Sequence, residues 1–77
     1  MLTIGQAMKE ARLSAGVSRR VLAEAAGIHP QSIVEYELDR HAPGVFALVS
    51  LADALGLTID EYIGHEVRER SVEPDEL

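Results

Sequence analysis

The chain has 77 residues, 47% of them apolar and 26% charged, enough for one hydrophobic core and too few for two domains. It has no cysteine, which excludes disulfides and thiolate metal sites, and its three histidines (His29, His41 and His65) are too dispersed for a zinc cluster, so no metal and no cofactor is expected. The formal net charge is −6, which disfavours a polyanionic partner unless the bases gather on one surface.

The distribution of that charge matters more than its sum. From His65 to the end, five acids (Glu66, Glu69, Glu73, Asp75, Glu76) face two bases (Arg68, Arg70), so half of the excess lies in the last residues and the remainder of the chain is still acidic. The start, Met1 to Ile4, lacks the basic stretch and apolar run of a secretion signal. No apolar segment approaches the roughly 20 residues that span a bilayer, so a cytoplasmic location without membrane contact is expected. With Tyr36, Phe46 and Tyr62 the only aromatic residues, the core must come from Leu, Ile, Val and Ala, a composition that favours an all-α fold.

The first helix is expected between Thr3 and Ala15, where Ile4, Ala7, Met8, Ala11 and Leu13 form an apolar stripe that Gly16 stops. Ser18 can cap a second helix of about two turns, Arg19 to Ala26, which Gly27 ends in the left-handed conformation. The pair His29-Pro30 reads as a helix entry with proline at the first helical position, giving a third helix from about Pro30 to Glu37 with Ile33, Tyr36 and Glu37 on one face. Leu38 to Gly44 breaks the periodicity and carries both proline and glycine, as an exposed loop does. Val45, Leu48, Leu51, Ala52 and Leu55 then line a fourth helix, and Thr58 with Glu61 forms a capping box for a fifth, Ile59 to about Ile63. Residues 1–64 thus read as one domain, and residues 65–77 as an acidic extension, partly helical or disordered.

Around Gly27, two short helices lie a few residues apart, with the small Ala23 and Ala26 on one and Ile33 on the other. Close crossing needs small residues at the contact and a turn residue tolerant of positive φ, which fits a helix-turn-helix and equally a generic helical hairpin. The run from Ile4 to Gly64 resembles the Cro/C1-type (XRE-like) helix-turn-helix family of transcriptional regulators. The resemblance rests on the ordered spacing of Leu22-Ala23, Gly27-Ile28, Ser32-Ile33, Glu37 and Pro43, the segment Leu51 to Leu57, and Asp60-Glu61. It implies a five-helix, lambda-repressor-like fold that usually dimerises on double-stranded DNA, with the third helix in the major groove. It also implies a repressor and a palindromic operator.

Carried over by position, the resemblance puts Ser18 and Arg19 at a phosphate contact, with Arg20 beside them; arginine at position 19 departs from the family's usual glutamine but keeps a phosphate donor. His29, Pro30, Gln31 and Ser32 take the leading turn of the recognition helix, and the Gln31 amide can both donate to and accept from adenine. Glu35, one turn on, can accept from cytosine while repelling phosphate. Arg40 and His41 fall in the phosphate-gripping loop, where Asp39 replaces a frequent glycine or asparagine and lowers electrostatic affinity. The resulting face is weakly positive, with protonated His29 or His41 adding to it. Arg12 and Glu37 match a structural ion pair that orients the recognition helix.

Phe46 and Val49 lie outside the inward stripe of the fourth helix at places where the family has polar residues or a dimer contact. A homodimer burying them, with Tyr62 or Val67, is therefore expected, its recognition helices about 34 Å apart. Scattered surface hydrophobes would account for the same pattern equally well. No glycine-rich phosphate loop, cysteine nucleophile or converging serine-histidine-acid set is legible, so no enzymatic activity is expected. The acidic balance keeps open a second class, a protein-interaction module on the same scaffold that binds a protein partner in place of DNA.

Overall fold

Thr3 opens the first helix with a capping box: its hydroxyl accepts from the Gln6 N–H at 3.0 Å while the Gln6 side chain accepts from the Thr3 N–H at 2.9 Å. The computed structural model describes residues 2–63. Within them run α1 (Ile4–Ser14), α2 (Arg19–Ala26), α3 (Pro30–Glu37), α4 (Val45–Ala54) and α5 (Ile59–Ile63), with no strand among the described residues. The expected all-α, five-helix order is the observed one. The acidic extension, 65–77, and Val67 within it lie outside the described residues.

Each helix is short and depends on local end chemistry, because isolated segments of this length do not hold helical structure in water. The Ser18 hydroxyl accepts from the Val21 N–H at 3.1 Å, and Thr58 and Glu61 exchange two hydrogen bonds at 2.8 and 3.1 Å. Gly27 ends α2 at φ 71°, and the next N–H, of Ile28, turns back onto the Ala23 carbonyl at 3.0 Å. A side chain at Gly27 would meet nothing, so glycine is required there by the left-handed backbone alone. Only residues 27–29 separate α2 from α3.

Packing supplies the rest of the stability. Met8, Leu22, Ala23, Ile33, Leu51, Ala52 and Tyr62 form one buried cluster to which every helix contributes. α2 packs on α3 and α4, while α1 packs on α3 and α5, so α3 is supported from two sides. Full burial of each large aliphatic side chain contributes roughly 1.5–3 kcal/mol. The expected apolar stripes need two corrections. In α1, Ile4 and Leu13 are exposed and Arg12 turns inward, because Arg12 lies one full turn after Met8 and Leu13 is rotated a further 100° or so. In α4, Val45 stands at 72% exposure, since the first turn overhangs the core that Leu51 and Ala52 enter.

Candidate nucleic-acid interface

Glu37, the last residue of α3, is buried with its carboxylate shared between two arginines. Arg12 Nε donates to Oε2 at 2.8 Å and Arg12 Nη2 to Oε1 at 3.2 Å, while Arg12 Nη1 reaches the Val17 carbonyl at 2.9 Å. Arg19 Nε, from the start of α2, donates to Oε1 at 2.9 Å. One carboxylate thereby ties the C-terminal end of α3 to α1 and to α2. Burying these charges carries a desolvation penalty that only dense, charge-assisted hydrogen bonding offsets, and Arg12 and Glu37 are the two charged groups so buried among the described residues.

The opposite end of α3 is exposed. His29 caps it, its Nδ1 accepting from the Gln31 N–H at 3.1 Å, and Pro30 takes the first helical position. The ring nitrogen that serves as the cap is thus Nδ1, and Nε2 is left for another partner. Pro30 and Gln31 are exposed, and Ser32 is half-buried, its N–H bonded to the His29 carbonyl at 3.0 Å.

One turn further, Glu35 is tied within the molecule. Gln31 Nε2 donates to Glu35 Oε2 at 2.8 Å, and Arg40 Nη1 lies 3.6 Å from that same oxygen. The loop after α3 is held in place by the Glu35 carbonyl, which accepts from the N–H groups of Arg40 at 2.9 Å and His41 at 3.4 Å. The interface residues Gln31, Glu35 and Arg40 thus form one connected group, while the His41 side chain is exposed.

Asp39 corrects a charge assigned to this face. It sits in the left-handed region at φ 59°, and its carboxylate accepts from the Thr3 hydroxyl at 2.6 Å and from the Gly5 N–H at 2.9 Å. Its negative charge therefore rests at the N-terminal end of α1, where the helix dipole favours it. Sequence reasoning missed this clamp; its one legible signal was a glycine in the first turn of an otherwise regular helix.

At the start of α2, the Ser18 hydroxyl caps the helix as an acceptor and keeps its own O–H for another partner. Arg19 uses only one of five N–H donors on Glu37, and 37% of its side chain remains exposed. Arg20 is exposed and makes no ion pair among the described residues. Asp39 is bonded to Thr3 and Gly5 and Glu35 lies beside Arg40, so Arg20 and the exposed part of Arg19 are the cations this edge presents.

The patch expected to meet a second copy divides. Phe46 is 88% exposed and Val49 is exposed beside it on α4, but Tyr62 is not on the surface. Its ring fills the core between α1 and α5 because the Thr58 capping box fixes the rotation of α5 and turns Tyr62 inward. Burial, together with the nearby Glu37 carboxylate and despite Arg12, pushes the Tyr62 hydroxyl well above the ordinary phenol range. That hydroxyl finds no hydrogen-bond partner among the described residues.

This geometry, a short capped helix crossing its predecessor through a glycine turn, is a helix-turn-helix. The helix-turn-helix family matches residues 8–62, and the chain belongs to that family. An immunity repressor protein of Bacillus phage phi105 is 31% identical over 65 residues, a match covering 84% of this chain and 45% of the relative, so this chain spans less than half of that protein's length. One chain of a SinR protein/SinI protein complex shares the fold, with a TM-score of 0.75 at 23% identity over 96% of this chain and 73% of that one.

Proposed function

We propose that the chain is a sequence-specific DNA-binding repressor that works as a symmetric dimer and lays α3 in the major groove of each half-site. The observation that carries this reading is the contrast between the two ends of α3. Its last residue is anchored by the buried Arg12–Glu37–Arg19 cluster, while its first turn, with Pro30 and Gln31, is exposed. Such a helix can present a fixed edge to base pairs. Ser18, Arg19 and Arg20 at the start of α2, and Arg40 and His41 after α3, supply donors for phosphates on either side. The likeness to a phage immunity repressor favours repression. The exposed Phe46 and Val49 on α4 supply the self-complementary apolar contact of the dimer. The protein acts in the cytoplasm, on the nucleoid.

Selection of bound duplexes from a random pool, followed by salt titration of the recovered site, tests this directly. A palindromic site whose affinity falls steeply with salt is the expected result. The net charge of −6 favours one other reading, a protein-binding module on this scaffold; retention of no duplex at low salt would decide for it.

A further inference from the structure

We infer that Glu35 is a positioning residue for Gln31, setting the base preference of the recognition helix without itself touching a base. The inference rests on the DNA-binding reading above. Gln31 and Glu35 stand four residues apart on α3, where side chains face each other, and are joined by the 2.8 Å bond from Nε2 to Oε2. A carboxylate only accepts, so the group bonded to it must be the amide nitrogen, which settles which way round the Gln31 amide lies. One Nε2 hydrogen is engaged; the second, together with Oε1, is left to pair outward.

A donor beside an acceptor in one fixed order is what adenine offers a complement to in the major groove, through N7 and the N6 amino group. An unrestrained glutamine at an exposed helix start samples both amide orientations and several rotamers, and ordering it on binding lowers affinity for the base it pairs with. Glu35 removes much of that freedom beforehand. Arg40 completes the arrangement: at 3.6 Å from the same oxygen it offsets the carboxylate charge that would otherwise face the phosphates. The Glu35 side chain is only 20% exposed, so it is held against its own helix and loop instead of reaching out towards cytosine.

Binding selection on random duplex with the full chain and with Glu35→Ala, Glu35→Gln and Gln31→Ala tests this. Glu35→Ala and Glu35→Gln remove the same charge, so comparing them isolates the acceptor. The native chain and Glu35→Gln, whose amide oxygen still accepts from Gln31, are expected to enrich adenine at one position per half-site. Glu35→Ala should lower that preference about two- to tenfold at the position that Gln31→Ala abolishes, leaving the other positions unchanged. In the free protein, the Gln31 side-chain amide resonances should shift in Glu35→Ala and stay close to native in Glu35→Gln. Unchanged adenine preference in Glu35→Ala would overturn the inference. So would loss of a cytosine at a different position, which would make Glu35 a direct reader, or equal behaviour of the Ala and Gln variants. If the native chain enriches no sequence at all, the DNA-binding reading falls and this inference with it; a native motif indifferent to Glu35 removes the inference alone.

Discussion

Asp39 and Gly5, 34 residues apart, are joined by a 2.9 Å hydrogen bond that fastens the loop after α3 onto the first turn of α1. A β-carbon at Gly5 would collide with the Tyr36 carbonyl oxygen and lie 2.6 Å from Asp39 Oδ1. Gly5→Ala is therefore expected to destabilise the fold by about 1–3 kcal/mol, since backbone must move to admit the methyl group. Asp39→Ala strands the Gly5 N–H and should cost about as much, while Asp39→Asn keeps an acceptor and tolerance of the left-handed turn and should cost less. Urea denaturation of the three variants checks the order; a neutral Gly5→Ala would contradict the clamp.

The Glu37 carboxylate holds two arginines at once, so its removal strands Arg12 in the core. Glu37→Ala should lose about 3–5 kcal/mol, with DNA affinity falling alongside stability. At this chain length each kcal/mol lowers the melting temperature by roughly 4–8 °C. Unchanged melting would show that the cluster contributes nothing to the fold.

Arg19 is partly exposed and leaves Glu37 still paired with Arg12, so Arg19→Ala should cost no more than about 1 kcal/mol of stability. Its larger effect is expected on DNA. For Arg19→Ala and for Arg20→Ala, the slope of log affinity against log salt should shrink by about one each, across operator and random duplex alike. A slope equal to the native one would remove that residue from the phosphate contacts.

Tyr62 buries a hydroxyl without a partner among the described residues, so Tyr62→Phe should leave stability unchanged or raise it by up to about 1 kcal/mol. The sign of its pH effect follows from the raised folded-state pKa: the folded protein holds the phenolic proton more tightly than the unfolded chain does. Stability from this group is fully present below the unfolded value near 10 and declines as pH rises beyond it. Alkaline unfolding curves of native and Tyr62→Phe protein should therefore diverge above about pH 10, the variant falling less. Coincident curves would argue that the ring is not buried.

If the proposed dimer forms through α4, Phe46→Ser combined with Val49→Ser should yield a monomer by sedimentation while the helical content is kept. Dimerisation persisting in the double variant would place the contact elsewhere.

Legibility of these features in the sequence followed the range of the interaction that creates them. Pro30 at a helix start, Gly27 at a turn and the Thr58–Glu61 box act within four residues, so the bounds of α3 and the turn before it could be read directly. Arg12 is different. Apolar periodicity passes over an arginine and picks Leu13, and only likeness to known regulators paired Arg12 with Glu37. The Asp39 clamp and the Arg19 share of Glu37 depend on contacts across 34 and 18 residues, for which residue type carries no local mark. Tyr62 was misplaced because a tyrosine in a five-residue helix gives too few turns to define an inward face.

The meeting of three helices on one Glu37 carboxylate also separates what can vary in this protein from what cannot. Substitutions in the leading turn of α3 leave that junction untouched, so under the proposed DNA-binding reading the sequence preference can change through Gln31 and its neighbours with little penalty to folding. An inserted or deleted residue between Pro30 and Glu37 would instead swing the exposed first turn about 100° around the helix axis relative to that junction, so only exchange of residues at fixed length keeps its orientation.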